Sequence, residues 1–275
     1  MTAALRTEFR KVATTRVWWL TALVMFGYML VMGMIMAFSL VSGMRAAEET
    51  GQPTSGGFGE TILDPAAIAT SVYTLAVALG YIFPAILGAL SVTSEFRHRT
   101  ITPTLLAEPR RTIVLTAKLV VVVPFAVVVA VAGVSGTVVG GATTLSLMGE
   151  PTLLGDSAIQ RTILLSTVAL VLWALVGVGF GSVLTNQVAA IVVLLAFTQF
   201  VEPLLRLLLA QFDATEVVSK FLPGAAGEAI AGSSLYVSSG LADLLTPWAG
   251  ALTLLGYALA LVLLGRFTTF RRDIG

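Results

Sequence analysis

The sequence predicts an all-α, polytopic membrane protein with six transmembrane helices, and three observations carry that expectation. Mean hydropathy is +0.95, and only 11% of residues are charged, where a soluble domain carries about a quarter. The apolar residues gather in runs near or above the roughly 20 needed to cross a bilayer. The basic residues fall on alternate sides of those runs. This is the pattern of one membrane domain rather than several soluble ones.

Residues 1–16 read as an amphipathic helix. Leu5, Phe9 and Val12 share one face at helical spacing, and Arg6, Arg10 and Lys11 sit elsewhere. Such a helix is expected to lie on the inner membrane surface, with Trp18 and Trp19 marking the interface. The apolar run that follows is longer than a signal-peptide h-region and no A-x-A site follows it, so cleavage is not expected.

The membrane domain is expected over 17–275, with spans at 17–41, 67–93, 113–147, 161–184, 188–210 and 246–266. The third is too long for one straight crossing. Either Pro124 and the glycines at 133–141 kink it, or an end projects. Spans four and five are joined by a tight polar turn, Thr185–Asn186–Gln187. The link from Ser42 to Ala66 contains ETGQPTSGGFGE and reads as an exposed outer loop. The segment 211–245 carries Asp213, Glu216, Lys220, Glu228 and Asp243 and is broken by Pro223, Gly224, Gly227 and Gly232. It reads either as short re-entrant helices in the outer leaflet or as a plain external loop.

Charge sets the expected orientation. With both termini inside, the cytoplasmic side holds Arg6, Arg10, Lys11, Arg16, Arg97, Arg99, Arg110, Arg111, Lys118, Arg266, Arg271 and Arg272, twelve of the 16 basic residues. The outer side holds Arg45, Arg161, Arg206 and Lys220.

The interior loop 94–112 has more order than a connector needs. Thr102 and Pro103 read as an N-cap and first helical position. Thr104–Glu108 then gives about one turn, which exposes Leu105 and Leu106, and Pro109 stops it before Arg110 and Arg111. Two leucines shown to the cytosol point to a partner; a basic loop that only sets topology is the competing reading.

Catalytic signatures are lacking. There is no cysteine and one histidine, His98, so metal clusters and thiolate chemistry are excluded. No H-E-x-x-H, G-x-S-x-G or G-x-x-x-x-G-K-[ST] occurs, so the chain is not expected to be an enzyme or to bind ATP through a P-loop. A net charge of +1 gives no footprint for nucleic acid. Gly136 and Gly140, and Gly177 and Gly181, fit G-x-x-x-G helix packing. Glu202 and Arg206 are four apart beside Pro203 near the outer end of span five. They read as an outer gate or as an interfacial ion pair.

The N-terminal LRTEFRKVATTRVWW, the six spans and the loop form E-x-R-x-x-T-x-x-x-L-x-x-x-P-R-R together resemble the ABC-2 type permease family of ABC transporters. The chain is similar to actinobacterial permeases that export drugs, antibiotics or lipids. The most specific residues are Glu95, Arg97, Thr100, Leu105, Pro109, Arg110 and Lys118. Arg99 stands where glycine is more usual, and Pro103 is not a general family feature.

The resemblance implies a multi-pass protein of the bacterial cell membrane that pairs with a second permease copy or paralogue and with separate cytoplasmic ATP-binding subunits. ATP and Mg would be bound by those partners, with no cofactor in this chain. The docking residues implied are Leu5, Phe9, Glu95, Arg97, Arg99, Thr100, Leu105, Leu106, Pro109 and Arg110. The segment 211–245 would be re-entrant. Cargo would be amphipathic or lipid-like, since few polar residues line the spans. An ion-coupled secondary transporter, which needs buried acids at mid-membrane, and a membrane-embedded enzyme are the alternatives.

Overall fold

The computed structural model describes residues 1–50, 64–209, 217–233 and 243–271. These residues form helices and short connections, without strands. The helices are α1 (Thr2–Thr14), α2 (Val17–Thr50), α3 (Pro65–Tyr73), α4 (Leu75–Leu79), α5 (Ile82–Arg97), α6 (Ile101–Ala107), α7 (Arg111–Leu147), α8 (Ser157–Val183), α9 (Gln187–Ala196), α10 (Glu202–Leu209), α11 (Pro223–Ala231) and α12 (Pro247–Phe267). A π-helical segment, Phe197–Val201, joins α9 to α10. Six helical stretches are long and apolar enough to cross a membrane: Val17–Glu49, Pro65–Arg97, Arg111–Leu147, Ser157–Val183, Gln187–Leu209 and Pro247–Phe267. The chain is an all-α, multi-pass membrane protein.

Three departures from the expected spans have local causes. The first helix does not end near Ser42 but runs on through Thr50. Ser42 turns its hydroxyl back onto the Phe38 carbonyl at 2.6 Å, and the good helix formers of MRAAEE continue the turn. Arg45 reaches across to the Met148 carbonyl and to Glu150 at 3.4 Å. The rest of the expected loop, 51–63, lies outside the described residues.

The second span is interrupted between α4 and α5. Pro84 lacks an N–H, and its ring crowds the carbonyl of residue 80. Gly80 stands there, and its carbonyl is taken by the Phe83 amide at 3.1 Å instead. In the fifth span Pro203 acts the same way on Gln199, and the wide π turn accommodates it. By contrast α7 is one 37-residue helix through Pro124, about 55 Å long.

Glycines set the close helix contacts. α2 runs parallel to α7, where a Cβ on Gly136 or Gly140 would fall on the backbone carbonyl of Phe26 or Leu30. α5 runs parallel to α8, with Gly177 against Ala85 and Gly181 against Ala89. These backbone-to-backbone approaches let the spans pack without a hydrophobic drive between them.

Because Trp18 packs on Phe125 with ring centroids 5.6 Å apart, the start of α2 lies level with the middle of α7. The first turns of α7 therefore project past α2, and α1 folds against them. We call this the α6 end. At the opposite end α11 is wedged between α8, α12 and α4. Gly250 meets the Ala226 carbonyl there, and Gly227 meets the Trp173 indole. Span five ends and span six begins toward this same end. Residues 210–216 and 234–242 of that segment lie outside the described residues.

Candidate functional site

Two polar centres stand out against the apolar bundle. The first lies at the α6 end and begins with α1. Leu5 and Val12 pack against the main core, and Phe9 sits at its rim, half exposed, 5.3 Å from the Phe125 ring. Between them Glu8, three residues after Leu5 and four before Val12, points the same way and is 4% exposed.

A carboxylate so buried needs cations and donors. Lys118, from α7, meets Glu8 Oε2 at 2.7 Å, Glu95 Oε1 at 2.6 Å and the Ser91 carbonyl at 3.0 Å. Lys11 meets Glu8 Oε1 at 2.6 Å, Glu95 Oε1 at 2.8 Å and Thr104 Oγ1 at 3.0 Å. Two lysines and two glutamates thus neutralise each other and tie α1, α5, α6 and α7 together. Burial disfavours the charge on Lys11, but the hydrogen bonds to Glu8 and Glu95 outweigh it and raise its affinity for the proton.

The turn into α6 explains the unexpected arginine. Thr100 N–H donates to the Glu95 carbonyl at 2.8 Å, and Arg99 N–H to the Phe96 carbonyl at 3.3 Å. This pair of bonds is a Schellman C-cap of α5, whose penultimate position is usually glycine in the left-handed region. Arg99 occupies that position with φ +56°. Thr100 is then the N-cap of α6, not Thr102, and Pro103 is the third helical residue rather than the first.

That shift corrects the leucine knob. Ile101 and Leu105 lie four apart and face inward, onto Leu115, Val92 and Phe270. Leu105 is therefore not presented outward. Leu106 is, at 77% exposure. Pro109 and Arg110 follow on the surface, where the Arg110 guanidinium grips Glu108 at 2.9 and 3.2 Å and holds that carboxyl below its usual range.

Of the docking residues implied by the resemblance, Phe9, Arg97, Arg99, Thr100, Leu106, Pro109 and Arg110 are exposed. Arg97 also bonds Gln187 at 3.2 Å, at the start of α9, where Asn186 caps the helix. Glu95 is corrected from a docking residue to an internal one, because Lys11 and Lys118 occupy it. Leu5 is partly buried and packs against the core.

The second centre is at the α11 end. Arg206 donates to Glu202 Oε1 through Nη2 at 2.7 Å and Nε at 3.1 Å, and to Glu228 Oε2 at 2.9 Å. Ala225 N–H also donates to Glu202 Oε1, at 3.1 Å. Leu222 precedes α11 without a side-chain cap, so Glu202 caps that helix from the neighbouring span. Gly224 allows the approach; a Cβ there would sit 2.5 Å from both Glu202 and Arg206. Glu202 and Arg206 pair as their spacing predicts, and they are buried and share a third member, Glu228 of α11.

Sequence reasoning missed Glu8, Lys11 and Glu228 as site residues and used Lys118 only for orientation and in the resemblance. A lysine eight residues into an apolar helix, and a glutamate inside an apolar face, were the available signals. Among the described residues no group of His, Cys, Asp or Glu is arranged to hold a metal ion. Comparison with protein-family models gives no match, and comparison with curated proteins gives none either.

Proposed function

We propose that this chain is the membrane-spanning subunit of an ATP-driven exporter of the ABC-2 type. The observation that carries the reading is the clamp at the α6 end. An amphipathic helix and a short interhelical helix are locked to spans two and three by three buried charges and the half-buried Lys11, while Leu106, Pro109 and Arg110 stay outside. A rigid platform of this kind suits a partner that pushes. In this reading the α6 end is cytoplasmic, in agreement with the basic-residue bias. A separate ATP-binding subunit docks on α6 and the exposed side of α1, and holds ATP and Mg.

Closure of two such subunits on ATP displaces α6. The Glu8–Lys118–Glu95 clamp passes that displacement into α5 and α7 together. ATP must bind one of two conformations better for this to drive transport. A second permease, identical or related, covers part of the apolar surface on α2, α9, α10 and α12, where Ile35, Phe38, Val192, Leu204, Leu252 and Leu263 are exposed. The cargo is amphipathic or hydrophobic and leaves the cytoplasm or inner leaflet.

The test is nucleotide hydrolysis. Purified alone, the chain is expected to hydrolyse no ATP above background; co-purified with its partner, it is expected to show hydrolysis that cargo modulates. Turnover by the lone chain would refute the assignment.

A further inference from the structure

Two helix breaks lie side by side in the bundle, and a proline sets each. In span two the chain passes from α4 to α5 through Gly80 and Tyr81, where Pro84 can offer no amide to the Gly80 carbonyl. In span five Pro203 can offer none to the Gln199 carbonyl, and the Glu202 amide donates to the Phe197 carbonyl, five residues back rather than four. The side chains beside the two displaced carbonyls meet: Gln199 Nε2 donates to the Tyr81 hydroxyl at 2.9 Å. Proline breaks and π turns are where helices bend.

The helices on the α6 side of these breaks are tied a second time. Arg97, at the far end of α5, donates to Gln187, at the start of α9, at 3.2 Å. α5 and α9 thus run between the α6 end and the breaks, bonded to each other at both ends. Their neighbour α8 passes the same level as one helix and carries Trp173 there. Tyr81 stacks on the Trp173 ring with centroids 4.5 Å apart, and the Nε1 edge of that ring meets Gly227 of α11. The contact between the breaks therefore rests on the ring that supports α11.

We propose that spans two and five share one hinge, with the Tyr81–Gln199 hydrogen bond as its latch. When the hinge bends, α5 and α9 tilt together, the breaks at 80–81 and 197–201 change in step, and Tyr81 shifts on the Trp173 ring under α11. A bend at one break alone pulls the Gln199 amide off the buried Tyr81 hydroxyl and loses a hydrogen bond among apolar side chains, which disfavours it. The coupling is a property of the two spans and does not depend on an ATP-binding partner.

Hydrogen–deuterium exchange of the purified chain in detergent, read over residues 80–85 and 197–203, tests it. Pro84→Ala restores a donor to the Gly80 carbonyl and is expected to slow exchange at its own break. Through the latch it is expected to slow exchange at 197–203 as well, by about threefold. Pro203→Ala is the reciprocal variant, expected to slow 80–85 likewise, and it decides the matter if the first does not fold. In a Tyr81→Phe background, which keeps the ring on Trp173 but removes the hydroxyl, each proline variant is expected to act on its own span alone. No effect on the opposite span from either proline variant overturns the proposal, as does an opposite-span effect that persists at full size without the Tyr81 hydroxyl.

Discussion

Lys118→Met removes the centre of the clamp while keeping side-chain length. In the wild type the Lys118 side chain is 1% exposed and donates to Glu8, Glu95 and Ser91. Its loss leaves two buried carboxylates facing Lys11 alone. Removing one partner of a buried ion pair costs about 3–5 kcal/mol, because the other charge is left uncompensated. Lys11 still reaches both acids at 2.6 and 2.8 Å, so the lower end, about 3 kcal/mol, is expected. For a chain of this size that corresponds to a fall of about 6–12 °C in the thermal midpoint.

Lys11→Met should cost much less. A third of that side chain is exposed, and exposed pairs are worth about 1 kcal/mol or less. The assay is thermal unfolding in detergent, paired with trypsin cleavage at Arg6 and Arg10, which should accelerate when α1 leaves α7. Adding Glu8→Gln to Lys118→Met should recover stability, since it removes one stranded charge, with a coupling of roughly 1 kcal/mol or more. A midpoint for Lys118→Met within about 2 °C of wild type, or a smaller effect than Lys11→Met, would mean that Lys118 does not hold the clamp together.

Two further outcomes follow from the same end of the molecule. Arg99→Gly should stabilise the chain by up to about 1 kcal/mol, because glycine adopts φ +56° without the Cβ clash; a clear loss of stability on thermal melting would mean that the arginine side chain contributes more than its strain costs. Lys11 holds its proton above the usual lysine value of 10.5, so its contribution is complete below that pH and fades as pH rises through the shifted value. The stability difference between wild type and Lys11→Met, measured across alkaline pH, should therefore shrink above about 10.5.

Most of the architecture was legible because membrane crossing is a matter of length and apolarity. The third to sixth spans were expected at 113–147, 161–184, 188–210 and 246–266, and lie at 111–147, 157–183, 187–209 and 247–267. Features made by local chemistry were only partly legible. Pro84 and Pro203 were visible, but the break and the π turn they cause depend on where the opposing carbonyl goes. The facing of α6 turned on a shift of two residues: the helix begins at Ile101 instead of Pro103, and Leu105 lies inside. The clamp was hidden for a different reason. Glu8 and Lys118 are 110 residues apart, and no periodicity within α1 or α7 says that they meet. Glu228 joined the Glu202–Arg206 pair only because α11 folds back between α8 and α12.

In the proposed function the exposed edge of α6 docks an ATP-binding subunit on the cytoplasmic side. The chain contains no cysteine, so Leu106→Cys carrying a short photo-crosslinker gives one defined probe, and Ser157→Cys gives a control at the other end of the bundle. After irradiation in cells, an adduct is expected at Leu106→Cys whose partner, identified by mass spectrometry, contains a G-x-x-x-x-G-K-[ST] loop, and no such adduct is expected at Ser157→Cys. Normal membrane insertion of Leu106→Cys without that adduct, or the same adduct formed from Ser157→Cys, would contradict it.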